Sequence, residues 1–253
     1  NEADIKPHLS RYWLNSEPAE PKQFNQEVKT VCDLYAEAPA LHAAGVHVVS
    51  TDEKTGIQAL ERLYPTLPTQ PGLIERREFE YVRHGTQCLT ANFEIATGRI
   101  VAPTIGDTRT EADFVAHVAQ TVAEDPQGTW IFVLDHLNTH QSESLVRWVA
   151  QQCAIEENLG RKGVSGILAD MASRTVFLQD ATHRIRFVYT PKHTSWLNQV
   201  EIWFSILERR LLKRASFTSS KDLRQRILDF IEFFNRAKAK PFKWTYAGRP
   251  LTV

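Results

Sequence analysis

The chain has 253 residues, of which 42% are apolar, 24% charged and 10% aromatic, and its formal net charge at pH 7 is zero. This composition excludes the disordered, collagen-like and disulfide-rich classes, and the length is enough for a sizeable core. No stretch approaches the roughly eighteen consecutive apolar residues of a membrane span, and the N-terminus lacks the basic and apolar segments of a signal peptide. We therefore expect no membrane partner.

The sulfur-containing residues bear on the cellular setting. Cys32, Cys88 and Cys153 are odd in number and far apart, which argues against a disulfide framework and against a cysteine-based zinc site. We therefore expect a reducing, cytoplasmic location. Because the only methionine is Met171, we also expect the chain to be a processed product or a fragment of a longer protein.

Charge is distributed unevenly along the chain. Residues 184–253 hold 15 Lys and Arg against 5 Asp and Glu, and residues 1–183 hold 15 against 25, which gives +10 and −10. A basic half is typical of a protein with a polyanionic partner, but it is equally typical of solvated helix faces. Charge alone does not decide between the two.

The first predicted elements are a helix and a strand. Phe24, Val28, Val31 and Tyr35 recur at helical spacing and predict an amphipathic helix over about residues 21–38, within an N-terminal arm of residues 1–44. A strand over 45–51 follows and should end at Asp52. Further along, we expect antiparallel strands within 78–103, with a turn at Thr97-Gly98, and a helix over 110–125.

The second half alternates strands and helices. The apolar run 130–134 predicts a buried strand that stops at Asp135. The remaining predictions are a helix over 142–153, an insertion over about 155–183, a strand over 185–189, a helix over 195–213 whose buried stripe begins at Trp196, and a final helix that starts near Ser219. Together these elements indicate an α/β fold with a central mixed sheet flanked by helices.

Two acids follow predicted strands directly. Asp52 and Asp135 each lie at the C-terminal end of an apolar strand, which is the edge of an α/β sheet where ligands usually bind. If the strands are neighbours, repulsion between the carboxylates should raise one pKa unless a cation lies between them. Aspartates at strand ends also commonly form Asx turns, so this pair alone does not establish a site.

Glu201 is a third candidate acid, because apolar residues flank it on a predicted helix. Two aspartates and one glutamate form an all-oxygen ligand set, which suits Mg²⁺ or Mn²⁺ better than Zn²⁺. Two such ions about 4 Å apart can activate water and stabilise the leaving oxygen of a phosphodiester. The three acids therefore point to nucleic-acid cleavage.

Three separated strings carry a family resemblance. VSTDEKTG at 49–56, VLDHLNTH at 133–140 and YTPKHTSWLNQVE at 189–201 resemble the catalytic blocks of the DDE transposases. They resemble most closely the insertion-sequence 630 family, the bacterial relatives of the mariner transposases. The likeness covers about residues 45–250, including the string AKPFKWTY at 239–246.

The resemblance implies an RNase H-like catalytic domain over 45–253, in which Asp52, Asp135 and Glu201 hold two divalent ions. Such a domain cuts double-stranded DNA at transposon ends and joins the freed 3′-hydroxyl to target DNA. Because two transposon ends must be brought together, we expect a homodimer on DNA, and the family implies a bacterial cytoplasm and association with the nucleoid. In that family an N-terminal helix-turn-helix region recognises the ends, and no convincing pattern of this kind occurs here.

The chain departs from the family in two places. His136 follows the second acid where the family commonly has Asn, and the segment between Asp135 and Glu201 is longer, which defines the insertion. A looser alignment would place the second acid at Asp170 or Asp180. We prefer Asp135, because it alone lies in a string like the family's second block.

Several polar residues are candidates for DNA contact: Lys54, His140, Lys192, His193, Asn198, Arg209, Arg210, Lys213 and Arg214. Each has an ordinary alternative, since cations at a helix C-terminus also complement its dipole. His136 and His140 are spaced like a zinc pair, but a hydrogen bond to phosphate or to their own loop fits a strand exit better. For Glu53 we expect a surface ion pair on the face opposite Asp52.

Two other functions fit the same pattern. One is a structure-selective nuclease or a ribonuclease on the same fold, and the other is an inactive, domesticated DNA-binding or assembly module. Joined rather than merely nicked DNA products would favour the transposase.

Overall fold

The computed structural model describes residues 21–192 and 194–246. Its centre is a five-stranded sheet with the order β3-β2-β1-β4-β5. The strands are β1 (Val46–Arg62), β2 (Tyr81–Glu94), β3 (Ile100–Gly106), β4 (Thr129–Leu134) and β5 (Ile185–Tyr189). β1, β2 and β3 pair antiparallel, whereas β4 pairs parallel with both β1 and β5. The predicted mixed sheet is confirmed.

Six α-helices flank the sheet within the described part of the chain. They are α1 (Pro21–Ala43), α2 (Glu111–Val122), α3 (Glu143–Gln152), α4 (Met171–Gln179), α5 (Gln199–Leu207) and α6 (Ser220–Ala237). None of these helices is long and apolar enough to cross a membrane.

Alternation along the strands divides the core into two clusters, one on each face of the sheet. Val48 of β1 and Val133 of β4 belong to the first cluster, with α1, α5 and α6. Val49 and Phe132 belong to the second, with α2, α3 and α4. Successive side chains of a strand point to opposite faces of the sheet. Alternation therefore also determines the face of each residue that continues β1 and β4.

β1 continues well beyond Asp52, where the sequence predicted its end. Its parallel pairing with β4 stops at Ser50 opposite Val133, but its antiparallel pairing with β2 continues to Arg62. The partner strand β2 keeps the backbone groups hydrogen-bonded, so a polar residue does not end the strand. Asp52 therefore lies within β1, just past the last parallel pair.

The predicted N-terminal helix is longer than expected and is part of the core. α1 buries Val28, Val31, Tyr35 and other residues in the first cluster, and the Tyr35 hydroxyl donates to the Leu197 carbonyl at 2.9 Å. From residue 21 onward, the predicted arm is thus packed against the domain that follows. Residues 1–20 lie outside the described part of the chain.

The predicted insertion is also folded. It contains α4, and Leu168, Phe177 and Leu178 are buried in the second cluster. The buried Arg174 donates through Nε to the Gln141 carbonyl at 2.7 Å, which ties this segment to the loop after β4. The insertion is therefore part of the sheet's second covering layer.

The helix predicted over 195–213 is divided into three parts. A 3₁₀ turn covers Ser195–Leu197, α5 follows from Gln199, and a π-helical turn covers Glu208–Leu212. Asn198 between the first two parts is extended, with φ −80° and ψ 104°. This break turns Trp196 outward, so its predicted place in the buried stripe is wrong: it is 48% exposed and contacts Tyr246 edge-on.

Candidate active site

Strand alternation brings the first two acids to the same face of the sheet. Asp52 follows Val48 and Ser50 on β1, and Asp135 follows Val133 just after β4, so both side chains belong to the face that α5 covers. Glu201 lies in the first turn of α5. All three acids line one open cavity of about 440 Å³.

Asn198 holds the carboxylate of Asp52. Its Nδ2 donates to Asp52 Oδ2 at 3.1 Å and to the Thr51 carbonyl at 3.1 Å. The other carboxylate oxygen, Oδ1, accepts from the backbone N–H of Glu53 at 2.7 Å. Both oxygens of Asp52 are therefore already oriented by the protein.

Ser50 fixes Asn198 in turn. The Ser50 hydroxyl donates to Asn198 Oδ1 and accepts from the backbone N–H of Val200 at 2.9 Å. Since Val200 is in α5, this pair of bonds ties the start of the helix to β1. The extended backbone at Asn198 is what allows its side chain to reach back to the strand.

The pKa of Asp52 is raised to about 7. Burial is the main cause, and the negative charges of Asp135 and Glu201 add to it, while the hydrogen bond from the Glu53 backbone opposes it. The repulsion expected for converging carboxylates is therefore present, but it contributes less to the shift than burial does.

Asp135 differs from Asp52 because a histidine accompanies it. His140 Nδ1 lies 2.9 Å from Asp135 Oδ1, and its Nε2 lies 3.1 Å from Glu53 Oε1. Burial acts to raise the pKa of Asp135, but the hydrogen bond and the positive charge of His140 outweigh it, so the pKa lies below its usual range. The pKa of His140 is raised to about 10: burial opposes its charge, and the hydrogen bonds to Asp135 and Glu53 prevail.

Glu53 has a different environment from the one predicted. It does point to the opposite face from Asp52, as expected, but its side chain is only 4% exposed and its partner is the fully buried His140. The surface ion pair predicted for Glu53 is therefore wrong. The reason is that the 3₁₀ turn over Asn138–Gln141 places His140 against β1.

The three acids form a suitable ligand set for divalent cations. All their donor atoms are carboxylate oxygens, Glu201 and Asp135 are exposed to the cavity, and the negative charges of these two acids add to burial in raising the pKa of Asp52. Their oxygens are not all within 4.8 Å of one another, so the set is open rather than a closed cage.

Four of the predicted DNA-contacting cations lie around the acids. Lys192 lines the cavity itself. Lys54, Arg209 and Lys213 line an adjoining groove of about 240 Å³, which Glu201 also lines. In this groove Lys54 pairs with Glu208 at 3.2 Å.

The other candidates have different positions. Arg210 and Arg214 are exposed near the π-helical turn but do not line either cavity, and His193 lies outside the described residues. His140 and Asn198 are almost completely buried, and their hydrogen bonds go to the acids and the backbone. These bonds indicate that both residues position the acids. For His140 the structure shows the predicted hydrogen bond to its own loop, and Asn198 also lines the cavity.

The alternative second acids lie away from the cavity. Asp170 is exposed and caps α4 by accepting from the Ser173 backbone N–H at 2.8 Å. Asp180 is exposed and accepts from the Thr182 backbone N–H at 2.8 Å.

The zinc pair of His136 and His140 is also excluded, because both ring nitrogens of His140 contact other groups. His136 stacks on Tyr189 and lines the cavity.

Comparison with known proteins agrees with this geometry. A sequence model of a family described as DDE superfamily endonuclease matches residues 47–224, which contain all three acids. No curated protein matches the chain in sequence.

Three solved structures are similar in fold. A pre-cleavage Mos1 transpososome aligns with a TM-score of 0.54 at 12% identity, over 93% of this chain and 63% of that chain. A Mos1 transposase paired-end complex with left transposon end gives 0.52 at 10%, over 88% and 59%. A Mos1 mariner paired end complex with Mn gives 0.51 at 11%, over 88% and 59%. This chain thus spans less than two thirds of those chains, and the likeness shows the RNase H-like fold predicted from the sequence.

Proposed function

We propose that this chain, which belongs to the DDE superfamily endonuclease family, is the catalytic domain of a transposase. The reaction would be cleavage of DNA at transposon ends followed by joining to target DNA. The observation that carries the proposal is that Asp52, Asp135 and Glu201, from three separate elements, line one open cavity. The three sequence strings around these acids support an assignment to the insertion-sequence 630 family within this superfamily.

The acids would bind two divalent ions, Mg²⁺ or Mn²⁺. When bound, such ions activate an attacking hydroxyl and stabilise the leaving oxygen of a phosphodiester. The all-oxygen donor set supports this choice of metal, because hard cations prefer oxygen ligands.

The protein's own contribution is to position the ligands before substrate arrives. Asn198 orients Asp52 through a 3.1 Å hydrogen bond, and His140 orients Asp135 and keeps it ionised. Lys192 places positive charge on the cavity wall, where it can attract a phosphate. Support of this kind typically changes metal affinity or activity by 10–100-fold.

Double-stranded DNA is the proposed partner, and a homodimer the proposed active form, in the cytoplasm on the nucleoid. The Mos1 neighbours were solved as a transpososome and as paired-end complexes, which supports an assembly on DNA ends. Light scattering of this chain with a DNA end that it binds should then show two protein copies per complex. A strict 1:1 complex would contradict the homodimer.

A nicking assay tests the endonuclease step. Supercoiled plasmid with Mg²⁺ or Mn²⁺ should be nicked by the wild-type chain, and Asp135→Asn should lower the rate at least about 100-fold. Asp180→Asn is the matched control, because Asp180 is an exposed aspartate away from the cavity. Equal rates for both variants would exclude Asp135 from the chemistry. That result would favour the alternative that the chain is an inactive DNA-binding or assembly module.

A joining assay separates the transposase from a simple nuclease. A short duplex with free 3′-hydroxyl ends and a supercoiled target plasmid should give covalently joined products in the presence of Mn²⁺. Nicked but never joined plasmid would instead identify a structure-selective nuclease on the same fold.

A further inference from the structure

A second cluster of metal-ligating side chains lies at the other end of β1 from the acids. His42 is in the last turn of α1, His47 is at the start of β1, and Glu94 is the last residue of β2. His47 precedes Asp52 by five residues of extended strand, which corresponds to roughly 17 Å. The cluster is therefore separate from the candidate active site.

The ligand atoms of the cluster are close together. His47 Nδ1 lies 2.8 Å from Glu94 Oε1, His42 Nε2 lies 3.5 Å from the same oxygen, and all three residues offer atoms within 4.8 Å of one another. In a tetrahedral zinc site with bonds near 2.1 Å, the ligand atoms are about 3.4 Å apart. The observed distances bracket this value, so small side-chain shifts would accommodate an ion.

Outer contacts hold two of these ligands in place. His47 Nε2 lies 3.2 Å from Asp125 Oδ2, and Glu94 Oε2 accepts from the Thr97 hydroxyl at 2.5 Å. The His47 ring also stacks on Trp130, with ring centroids 4.1 Å apart. A histidine whose second nitrogen faces a carboxylate is the usual arrangement around metal-ligating histidines.

We propose that His42, His47 and Glu94 bind one Zn²⁺ ion. Two imidazole nitrogens and one carboxylate oxygen are a ligand set typical of zinc, whereas Mg²⁺ and Ca²⁺ prefer oxygen alone. Glu94 is only 6% exposed, while His42 is 37% exposed, so the ion would enter from the side of His42 and keep one position open to solvent. It would join the end of α1 to β1 and β2.

The alternative is a purely hydrogen-bonded cluster, in which His47 lies between Glu94 and Asp125. This arrangement needs neither His42 nor a metal. The two alternatives therefore differ in whether the protein binds zinc, and in whether the affinity of the protein for zinc depends on His42.

Zinc titration against a competing chromophoric chelator distinguishes them. The titration uses the Asp52→Asn/Asp135→Asn double variant, so that zinc bound by the candidate active site does not contribute. We expect one equivalent of Zn²⁺ to bind. Adding His42→Gln should weaken binding at least about 100-fold, and adding Asp125→Asn, at a half-exposed position, about 10- to 100-fold.

His84→Gln is the matched control, since this part-buried histidine contacts Glu61 at 2.6 Å but is outside the cluster; it should leave zinc affinity unchanged. Co²⁺ in place of Zn²⁺ should give the visible absorption of a tetrahedral site. Absence of zinc binding in the double variant, or equal affinity with and without His42→Gln in folded protein, would overturn the proposal.

Discussion

Asp52 and Glu53 are adjacent in sequence but have different environments because a strand turns them to opposite faces. Asp52 faces α5 and the cavity, where burial and two neighbouring acids raise its pKa to about 7. Glu53 faces the other cluster and contacts the imidazole of His140 at 3.1 Å. His140 in turn contacts Asp135, so the two faces of the sheet are linked through one side chain.

Asn198 provides a direct test of ligand positioning. Asn198→Ala removes the donor to Asp52 Oδ2, so we expect metal-dependent nicking to fall about 10- to 100-fold, as for other residues that support metal ligands. Asn158→Ala, at an exposed loop position, should have no effect. Wild-type activity in a folded Asn198→Ala protein would exclude this role.

Glu53 should contribute to stability because it neutralises a buried charge. Glu53→Gln leaves the charged His140 with one anionic partner fewer, so we expect the free energy of unfolding to fall by about 3 kcal/mol. Glu61→Gln, which disturbs a more exposed pair with His84, should cost less than about 1 kcal/mol. Urea unfolding of both variants measures the difference, and equal losses would contradict the buried charge.

His117 predicts a specific pH dependence of stability. It is fully buried, and burial together with the charge of His140 lowers its pKa to about 3. Between that value and about 6.5, the unfolded chain binds a proton that the folded chain does not. Stability should therefore fall as pH decreases through this range, by up to about 1.4 kcal/mol per pH unit.

The His117 contribution is measured by difference. His117→Gln should show a shallower loss of unfolding free energy between about pH 6.5 and 4 than the wild-type chain. The same slope in both proteins would show that His117 does not remain neutral in the fold.

Among the elements, α1 shows what periodicity can and cannot predict. The spacing of Phe24, Val28, Val31 and Tyr35 predicted the helix and its buried face correctly. It contained no information about what covers that face, so α1 was assigned to an arm. The structure packs it into the same core cluster as α5 and α6.

Substitution on the buried face of α1 tests this packing. Val31 is fully buried, so Val31→Ala should lower the free energy of unfolding by about 2 kcal/mol through lost apolar burial and a small cavity. Lys29→Ala removes only an exposed pair with Asp33 and should cost less than about 0.5 kcal/mol. Comparable losses from the two, in chemical denaturation, would show that α1 is not part of the core.

The helix that carries Glu201 shows a different limit. Its apolar stripe correctly predicted that Val200, Trp203 and Leu207 are buried. The stripe could not reveal the extended residue at Asn198, because that break depends on hydrogen bonds to Ser50 and Asp52, nearly 150 residues away in the chain. Local periodicity predicts helices well, but such distant contacts decide where they are interrupted.

For the molecule as a whole, the order of apolar strands was sufficient to predict a mixed sheet. It placed Asp52 and Asp135 at strand ends without establishing that those strands are neighbours, which the structure shows. The apolar residues around Glu201 made it a third candidate, and the family-like strings grouped the three acids. The supporting residues were not predictable in the same way, because the contact of His140 with Glu53 spans 87 positions and that of Asn198 with Asp52 spans 146. Only the folded chain brings these partners together.

Anomalous diffraction from crystals of the chain soaked in Mn²⁺ tests most directly whether the three acids form one cation site. We predict manganese density in the cavity, in contact with the carboxylates of Asp52, Asp135 and Glu201. Manganese bound only elsewhere, for instance at His42, His47 and Glu94, or no density among the three acids at saturating Mn²⁺, would contradict the proposed active site.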